Sequence, residues 1–94
     1  MVLKFGDVEL LGPFSRLDEL EDQPGLFVIL CYKDVRFEPL DVRIAKLVQT
    51  EVARALAEPN WTEICTGRLR IGVLYSFDEA QLDSIKQQLL CEVG

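Results

Sequence analysis

Arginine side chains in the middle of the chain are, by type and spacing, the residues best suited to bind an anion. Arg68 and Arg70 alternate within a segment of strand-like composition, so both side chains are expected on one strand face. A guanidinium group binds phosphate or carboxylate through two parallel hydrogen bonds. The alternative is that these charges are solvated and contribute little individually. The predicted binding residues are Arg36, Arg43, Arg68, Arg70 and Trp61. Trp61 is an interaction hot spot if it is exposed; the alternative is a core or rim aromatic.

Carboxylates near the end of the chain are candidates for binding a divalent cation. Glu79 and Asp83, together with Asp78, supply the oxygen ligands that hard cations such as Mg²⁺ prefer. The alternative is that acidic residues in a first helical turn cap the helix and interact with its dipole. Histidine is absent, which excludes Ser-His and Cys-His nucleophiles and histidine-bound zinc.

Length and composition predict one small domain that positions these side chains. The 94 residues, 49% of them apolar, allow a single hydrophobic core. The sequence has no apolar run of about 18 residues and no signal-peptide pattern, so we expect a cytoplasmic protein. Cys31, Cys65 and Cys91 are widely spaced and form no CxxC pair, so we expect buried thiols in a reducing compartment rather than disulfides.

The charge is unevenly distributed along the chain. The formal net charge of −6 disfavours a nonspecific nucleic-acid binder, which usually carries excess positive charge. Residues 33–70, however, hold seven basic and six acidic side chains, whereas both flanking segments are acidic. A basic patch is therefore expected in the middle segment. An unidentified protein is the preferred partner, and a nucleic acid stays open as the alternative.

The first half of the chain shows strand patterns separated by turn residues. A hairpin is predicted around Gly6 and Asp7, followed by a short helix over about 16–22. The continuous apolar run over 26–32 predicts a central strand that is buried on both faces.

A long helix is predicted after this strand. Residues 35–37 read as a short strand that ends before a proline, and Asp41 is the expected N-cap of a helix over about 42–57. Ile44 and Leu47 begin its expected buried stripe, because the apolar residues that follow recur at helical spacing.

The last third predicts one strand and one helix. Residues 61–67 read as irregular, and 68–75 alternate and then become apolar, as in a strand. Ser76 and Glu79 match a capping box at the start of a helix over about 77–91. The expected fold class is α+β, with a mainly antiparallel sheet and helices packed on it.

Residues 24–92 resemble the GIY-YIG nuclease superfamily. The run Pro24-Gly25-Leu26-Phe27-Val28-Ile29 resembles the family's PGIYVI opening, and Asp78-Glu79-Ala80 resembles the start of its closing helix. Phe37 lies near the second motif, and Arg43 falls where the following helix would begin. The single domain predicted over 1–94 therefore consists of an N-terminal hairpin and a short helix over 1–23, followed by a GIY-YIG-like core over 24–92.

The resemblance also implies a chemistry that this chain has largely lost. The family uses a tyrosine in each motif to activate water, a helix arginine to stabilise charge and a glutamate to hold a metal. Here Phe27 and Phe37 take the tyrosine positions without a hydroxyl group. The arginine position falls near Ala45 or Lys46, and the metal position falls near Asp83 or Ser84.

Three functional hypotheses follow. The first is a non-catalytic binding or regulatory module without a cofactor. The second is a diverged Mg²⁺-dependent phosphodiesterase acting on DNA or RNA. Its residues would be Arg43, Lys46 and Tyr32 for catalysis and Glu79 and Asp83 for the metal. The third is a structural subunit that forms a homodimer through an exposed strand edge or the Trp61 region.

Overall fold

Five antiparallel strands form one sheet, and helices cover both of its faces. The computed structural model describes residues 2–93. Its elements are β1 (Val2–Phe5), β2 (Val8–Phe14), a 3-10 helix (Leu17–Glu19), β3 (Gly25–Lys33), β4 (Arg36–Ala45), α1 (Val48–Leu56), α2 (Trp61–Ile64), β5 (Arg68–Tyr75) and α3 (Glu79–Val93). The strand order is β1-β2-β5-β3-β4. The fold class is therefore α+β, as the sequence predicts, with an N-terminal strand hairpin.

Strand β3 is an interior strand of the sheet, between β5 and the edge strand β4, and it contributes to a core layer on each face. It pairs along its whole length with β4 on one side and β5 on the other. Phe27 and Ile29 pack with α1 and Trp61, whereas Leu26 and Val28 pack with α3 through its buried leucines. The prediction of a central strand buried on both faces is confirmed.

The predicted helix over 42–57 is wrong in its first third, because that segment continues β4. Asp41 to Ala45 pair with β3, and a bulge between the two strands accommodates Pro39. Ile44 and Leu47 are 38% and 48% exposed rather than buried. The pairing of nine β4 residues with β3 overrides the local helical spacing, and α1 begins only at Val48.

Helix α1 is capped by a residue that is distant in sequence. The Thr50 N–H donates to Asp22 Oδ1 at 3.0 Å, and the Thr50 hydroxyl donates to Asp22 Oδ2 at 2.9 Å. The Val48 N–H donates to the Gln23 carbonyl at 3.0 Å. The segment after the 3-10 helix therefore satisfies the free amides of the first turn of α1. The helix predicted over 16–22 is reduced to that single 3-10 turn.

Two further predictions shift in detail. The cap of α3 is Asp78 rather than Ser76, because the Gln81 N–H donates to Asp78 Oδ1 at 3.1 Å. The Asp78 N–H in turn donates to Ser76 Oγ at 3.1 Å. The segment predicted as irregular contains the short helix α2, which begins at Trp61.

The prediction of unpaired cysteines is wrong. Cys31 in β3 and Cys65 after α2 form a disulfide, with their Cα atoms 5.7 Å apart, and both are buried. Cys91 is free and exposed. The 34-residue separation gives no local signal, because the pairing depends on α2 being folded back beside β3.

Candidate functional site

Basic and aromatic side chains from three strands meet at one end of the sheet. In the strand pairing, Tyr32 lies opposite both Phe37 and Arg68, and Lys33 lies opposite Arg36. Arg70 lies two residues further along β5, opposite Leu30. We call this end of the sheet the basic end and define it as Tyr32, Lys33, Arg36, Phe37, Arg68 and Arg70. Because consecutive strand residues alternate, Lys33 and Arg36 lie on one face of the sheet end and the other four lie on the opposite face. Three of the five predicted binding residues, Arg36, Arg68 and Arg70, therefore lie at the basic end.

The cations of the basic end are available for a ligand. Lys33, Arg36 and Arg68 are exposed, and Arg70 is half-buried and donates to the Leu69 carbonyl at 2.7 Å. No ion pair among the side chains of residues 2–91 includes any of the four. Lys33 and Arg36 line a small open cleft of about 480 Å³ beside the β3–β4 turn, whereas Arg68 and Arg70 lie on β5 outside this cleft. The basic end can therefore donate several charge-assisted hydrogen bonds to an anion.

An aromatic pair forms the apolar part of the basic end. The Tyr32 and Phe37 rings have centroids 4.7 Å apart and are tilted by 39°. Both side chains are half-buried, so each keeps an accessible ring surface. Arg68 and Arg70 share their face of the sheet, as the alternation of β5 predicts. An apolar surface flanked by guanidinium groups suits a partner with both apolar and acidic groups.

The turn at the tip of this hairpin is strained. Asp34 and Val35 form the two-residue connection from β3 to β4, with φ angles of 55° and 62°. A β-branched residue in this left-handed region is a conformational outlier. Val35 is also 84% exposed, so packing within the chain does not explain its presence. Strain of this kind concentrates at binding and active sites.

Glycine and a disulfide fix the strand that brings the arginines to the basic end. A Cβ atom added to Gly67 would lie 2.1 Å from the Tyr32 carbonyl oxygen, so only glycine allows this close approach. Cys65, two residues earlier, is bonded to Cys31 beside Tyr32. These two features hold the start of β5 against the end of β3 and thereby set the position of Arg68.

Arg43 and Trp61, the other two predicted binding residues, meet each other elsewhere. The Arg43 guanidinium donates to Asp41 at 2.8 Å and to both Glu58 oxygens at 2.7 Å and 3.1 Å. Its central carbon lies 5.9 Å from the centroid of the Trp61 ring. Trp61 is 4% exposed, and its indole N–H donates to the Ala55 carbonyl at 2.6 Å.

The electrostatics of this cluster indicate a structural role. The hydrogen bond to Glu58 raises the pKa of Arg43 above its ordinary value; partial burial opposes this rise, and Asp41 adds to it. The same hydrogen bond holds the pKa of Glu58 below its usual range. Arg43 thus connects the edge strand β4 to the end of α1 and to α2. The prediction of Trp61 as an exposed hot spot is wrong, because its ring belongs to the core.

The residues of the phosphodiesterase hypothesis lie in separate places. Lys46, Glu79 and Asp83 line one groove between the end of β4 and the start of α3. Arg43 lies on the opposite face of β4, opposite Phe27, and Tyr32 belongs to the basic end. Within the described part of the chain, no three acidic or cysteine side chains are close enough to hold a metal ion.

Sequence reasoning missed two features of the basic end. Lys33 is one of the seven basic side chains of residues 33–70, but it is not among the predicted binding residues. The strained turn itself has a weak signal, because Asp34 favours a tight hairpin connection whereas Val35 does not. The pairing of Lys33 with Arg36 leaves only two residues for the turn, and both of them have positive φ.

Comparisons of the whole chain with protein-family models, with curated proteins and with solved structures give no significant match. Over residues 2–93, no helix combines the length and the apolar character needed to cross a membrane.

Proposed function

We propose that this chain is a non-catalytic binding or regulatory module on a degenerate GIY-YIG-like scaffold, and that its basic end binds an acidic segment of a protein partner. The observation that carries the proposal is the contrast between the two arginine groups. Arg43 is neutralised by two carboxylates of the chain, whereas Arg36 and Arg68 belong to none of the ion pairs among the side chains of residues 2–91. Charges left without an internal partner, beside an aromatic pair, suit an external one.

The surroundings of the basic end favour a protein over a nucleic acid. The chain carries a net charge of −6, which opposes the long-range attraction that drives nonspecific phosphate binding. Asp34 and Glu38 also lie within the cleft, where they would repel a continuous phosphate backbone. An acidic peptide can place single carboxylates on Arg36 and Arg68 and an apolar side chain on the exposed Val35.

The non-catalytic part of the proposal is supported by the positions that match the family tyrosines. Phe27 is 1% exposed and belongs to the core beneath α1. Phe37 stacks on Tyr32. Neither side chain has a hydroxyl group, so neither can orient or deprotonate a water molecule, and a hydrolytic mechanism of the family type lacks both groups.

The test is a titration with a fluorescent peptide of alternating acidic and apolar residues, followed by anisotropy at low salt. We expect the double variant Arg36→Ala/Arg68→Ala to bind at least about tenfold more weakly, the loss for two charge-assisted hydrogen bonds. Arg54→Ala is the matched control, because Arg54 is an exposed arginine on α1. Equal weakening by the control would contradict a specific site.

Two further arms of the same test address the alternatives. A single-stranded oligonucleotide that binds more tightly than the peptide, and loses that binding in the double variant, would replace the protein partner by a nucleic acid. Cleavage of that oligonucleotide in the presence of Mg²⁺, abolished by Asp83→Ala, would overturn the non-catalytic assignment.

A further inference from the structure

A protruding aromatic residue and an apolar groove lie side by side at the end of the sheet opposite the basic end. Phe77 is 82% exposed and stands at the rim of a groove of about 800 Å³. Pro24, Ile44 and Leu82 supply apolar lining, and Ile44 is itself 38% exposed. Exposed apolar surface of this kind marks an interaction site.

The exposure of Phe77 is not explained by the stability of its own helix. Phe77 directly precedes the cap residue Asp78, a position from which an apolar residue usually packs against the fourth residue of the helix. That residue is Leu82, which is 2% exposed and packs in the α3 layer of the core. At 82% exposure Phe77 is not covered by such packing, so most of its ring surface is free to enter another surface.

The rim of the groove carries both signs of charge. Lys46 lies on the β4 side, and Glu79 and Asp83 lie on the α3 side. None of the three takes part in an ion pair with another residue of the described chain. A ligand of a single charge would satisfy one side of the groove and repel the other, so the best occupant is complementary to both.

We propose that the occupant is a second copy of this chain, and that the protein forms a two-fold dimer in which each Phe77 enters the groove of the other copy. Around a two-fold axis, every contact is made twice with the roles exchanged. The surface is complementary to itself, because it places the exposed Phe77 beside an apolar groove and Lys46 beside two carboxylates. Lys46 of each copy then pairs with Asp83 or Glu79 of the other.

The edges of the sheet are less suited to self-association. The edge strand β4 contains Pro39 and a bulge, and both interrupt pairing with a further strand. The other edge strand, β1, has only four residues and includes Lys4. Trp61 is buried, so the region around it offers no exposed aromatic anchor.

The dimer would leave the basic end accessible. Ala45 pairs with Gly25 at the start of β3, whereas Arg36 pairs with Lys33 at its end. These pairs are eight residues apart, or about 26 Å along the strand. The dimer would therefore present two basic ends, and the inference does not depend on what they bind.

The first test is sedimentation velocity of the full chain from about 5 to about 500 µM, a range that covers weak interfaces. We expect a concentration-dependent shift from monomer to dimer that Phe77→Ser abolishes. Val35→Ser is the matched control, because Val35 is 84% exposed at the other end of the sheet. A wild-type chain that stays monomeric throughout, or equal effects of both substitutions, would overturn the proposal.

A charge exchange provides the decisive second test. Lys46→Glu and Asp83→Lys should each weaken the homodimer at least about tenfold, because like charges then face each other. An equimolar mixture of the two variants should recover the dimer, since each copy then presents the opposite charge to the other. Failure of the mixture to associate, when both variants retain the wild-type circular dichroism spectrum, would refute the two-fold arrangement.

Discussion

The strained turn between β3 and β4 makes a quantitative prediction. Val35 has a φ of 62° and is 84% exposed, so replacing it removes almost no packing. A non-glycine residue in the left-handed region costs about 1–2 kcal/mol, and Val35→Gly removes that cost. Glycine adds back about 0.5–1 kcal/mol through the greater freedom of the unfolded chain. We therefore expect Val35→Gly to stabilise the protein by about 0.5–1 kcal/mol.

Guanidinium denaturation and a thermal scan measure this change. The denaturation midpoint should rise at an unchanged slope, and Tm should rise by about 2–8 °C for a domain of this size. Val2→Gly is the control, because Val2 is an exposed strand residue that has no positive φ. That variant should be less stable than the wild type. If Val35→Gly also destabilises the protein, the positive φ at Val35 is refuted.

The same substitution separates stability from function. If the exposed Val35 side chain contacts the partner, Val35→Gly should weaken binding of the acidic peptide while the protein becomes more stable. Strained or exposed residues at binding sites commonly show this opposition. Unchanged peptide affinity would remove Val35 from the binding surface and leave the arginines as its only supported part.

The remaining predictions concern the residues that hold the fold together. Replacing Cys31 and Cys65 together by alanine should lower the free energy of unfolding by about 4 kcal/mol, the loop-closure term for 34 residues. A reducing agent should lower Tm in the wild type alone, and equal Tm values with and without it would contradict the bond. Glu58→Gln should destabilise the protein at neutral pH, because its lowered pKa means that the folded state favours the charged carboxylate beside Arg43. That stabilisation is lost as the pH falls through the pKa of folded Glu58, so the two denaturation curves should converge in acid; a constant difference would contradict the ion pair. Asp78→Ala should cost about 1 kcal/mol by removing the cap of α3, measured by the same denaturation.

The two proposed surfaces would act together if both are correct. A dimer that carries two basic ends can bind a partner with two acidic segments, and the second contact then forms at a high effective concentration. Phe77→Ser should reduce affinity for such a bivalent partner more than for a single acidic peptide. Equal effects on both ligands would mean that the surfaces function independently.

Local patterns in the sequence determined several elements without reference to the rest of the chain. The apolar run after Gly25, the alternation of β5 and the glycine turn near the N-terminus each predict the element that the structure shows. These signals are local because side-chain alternation and turn chemistry involve neighbouring residues. The α+β class and the shared face of Arg68 and Arg70 follow from them.

Tertiary structure decided what these patterns left open. The apolar spacing after Asp41 predicts a helix, and pairing of Asp41 to Ala45 with β3 makes the segment a strand instead. The disulfide and the Arg43–Trp61 contact join residues 34 and 18 positions apart, across turns whose geometry no local pattern specifies. The basic end likewise exists only because strand order brings Arg68 beside residues that lie more than thirty positions earlier in the chain.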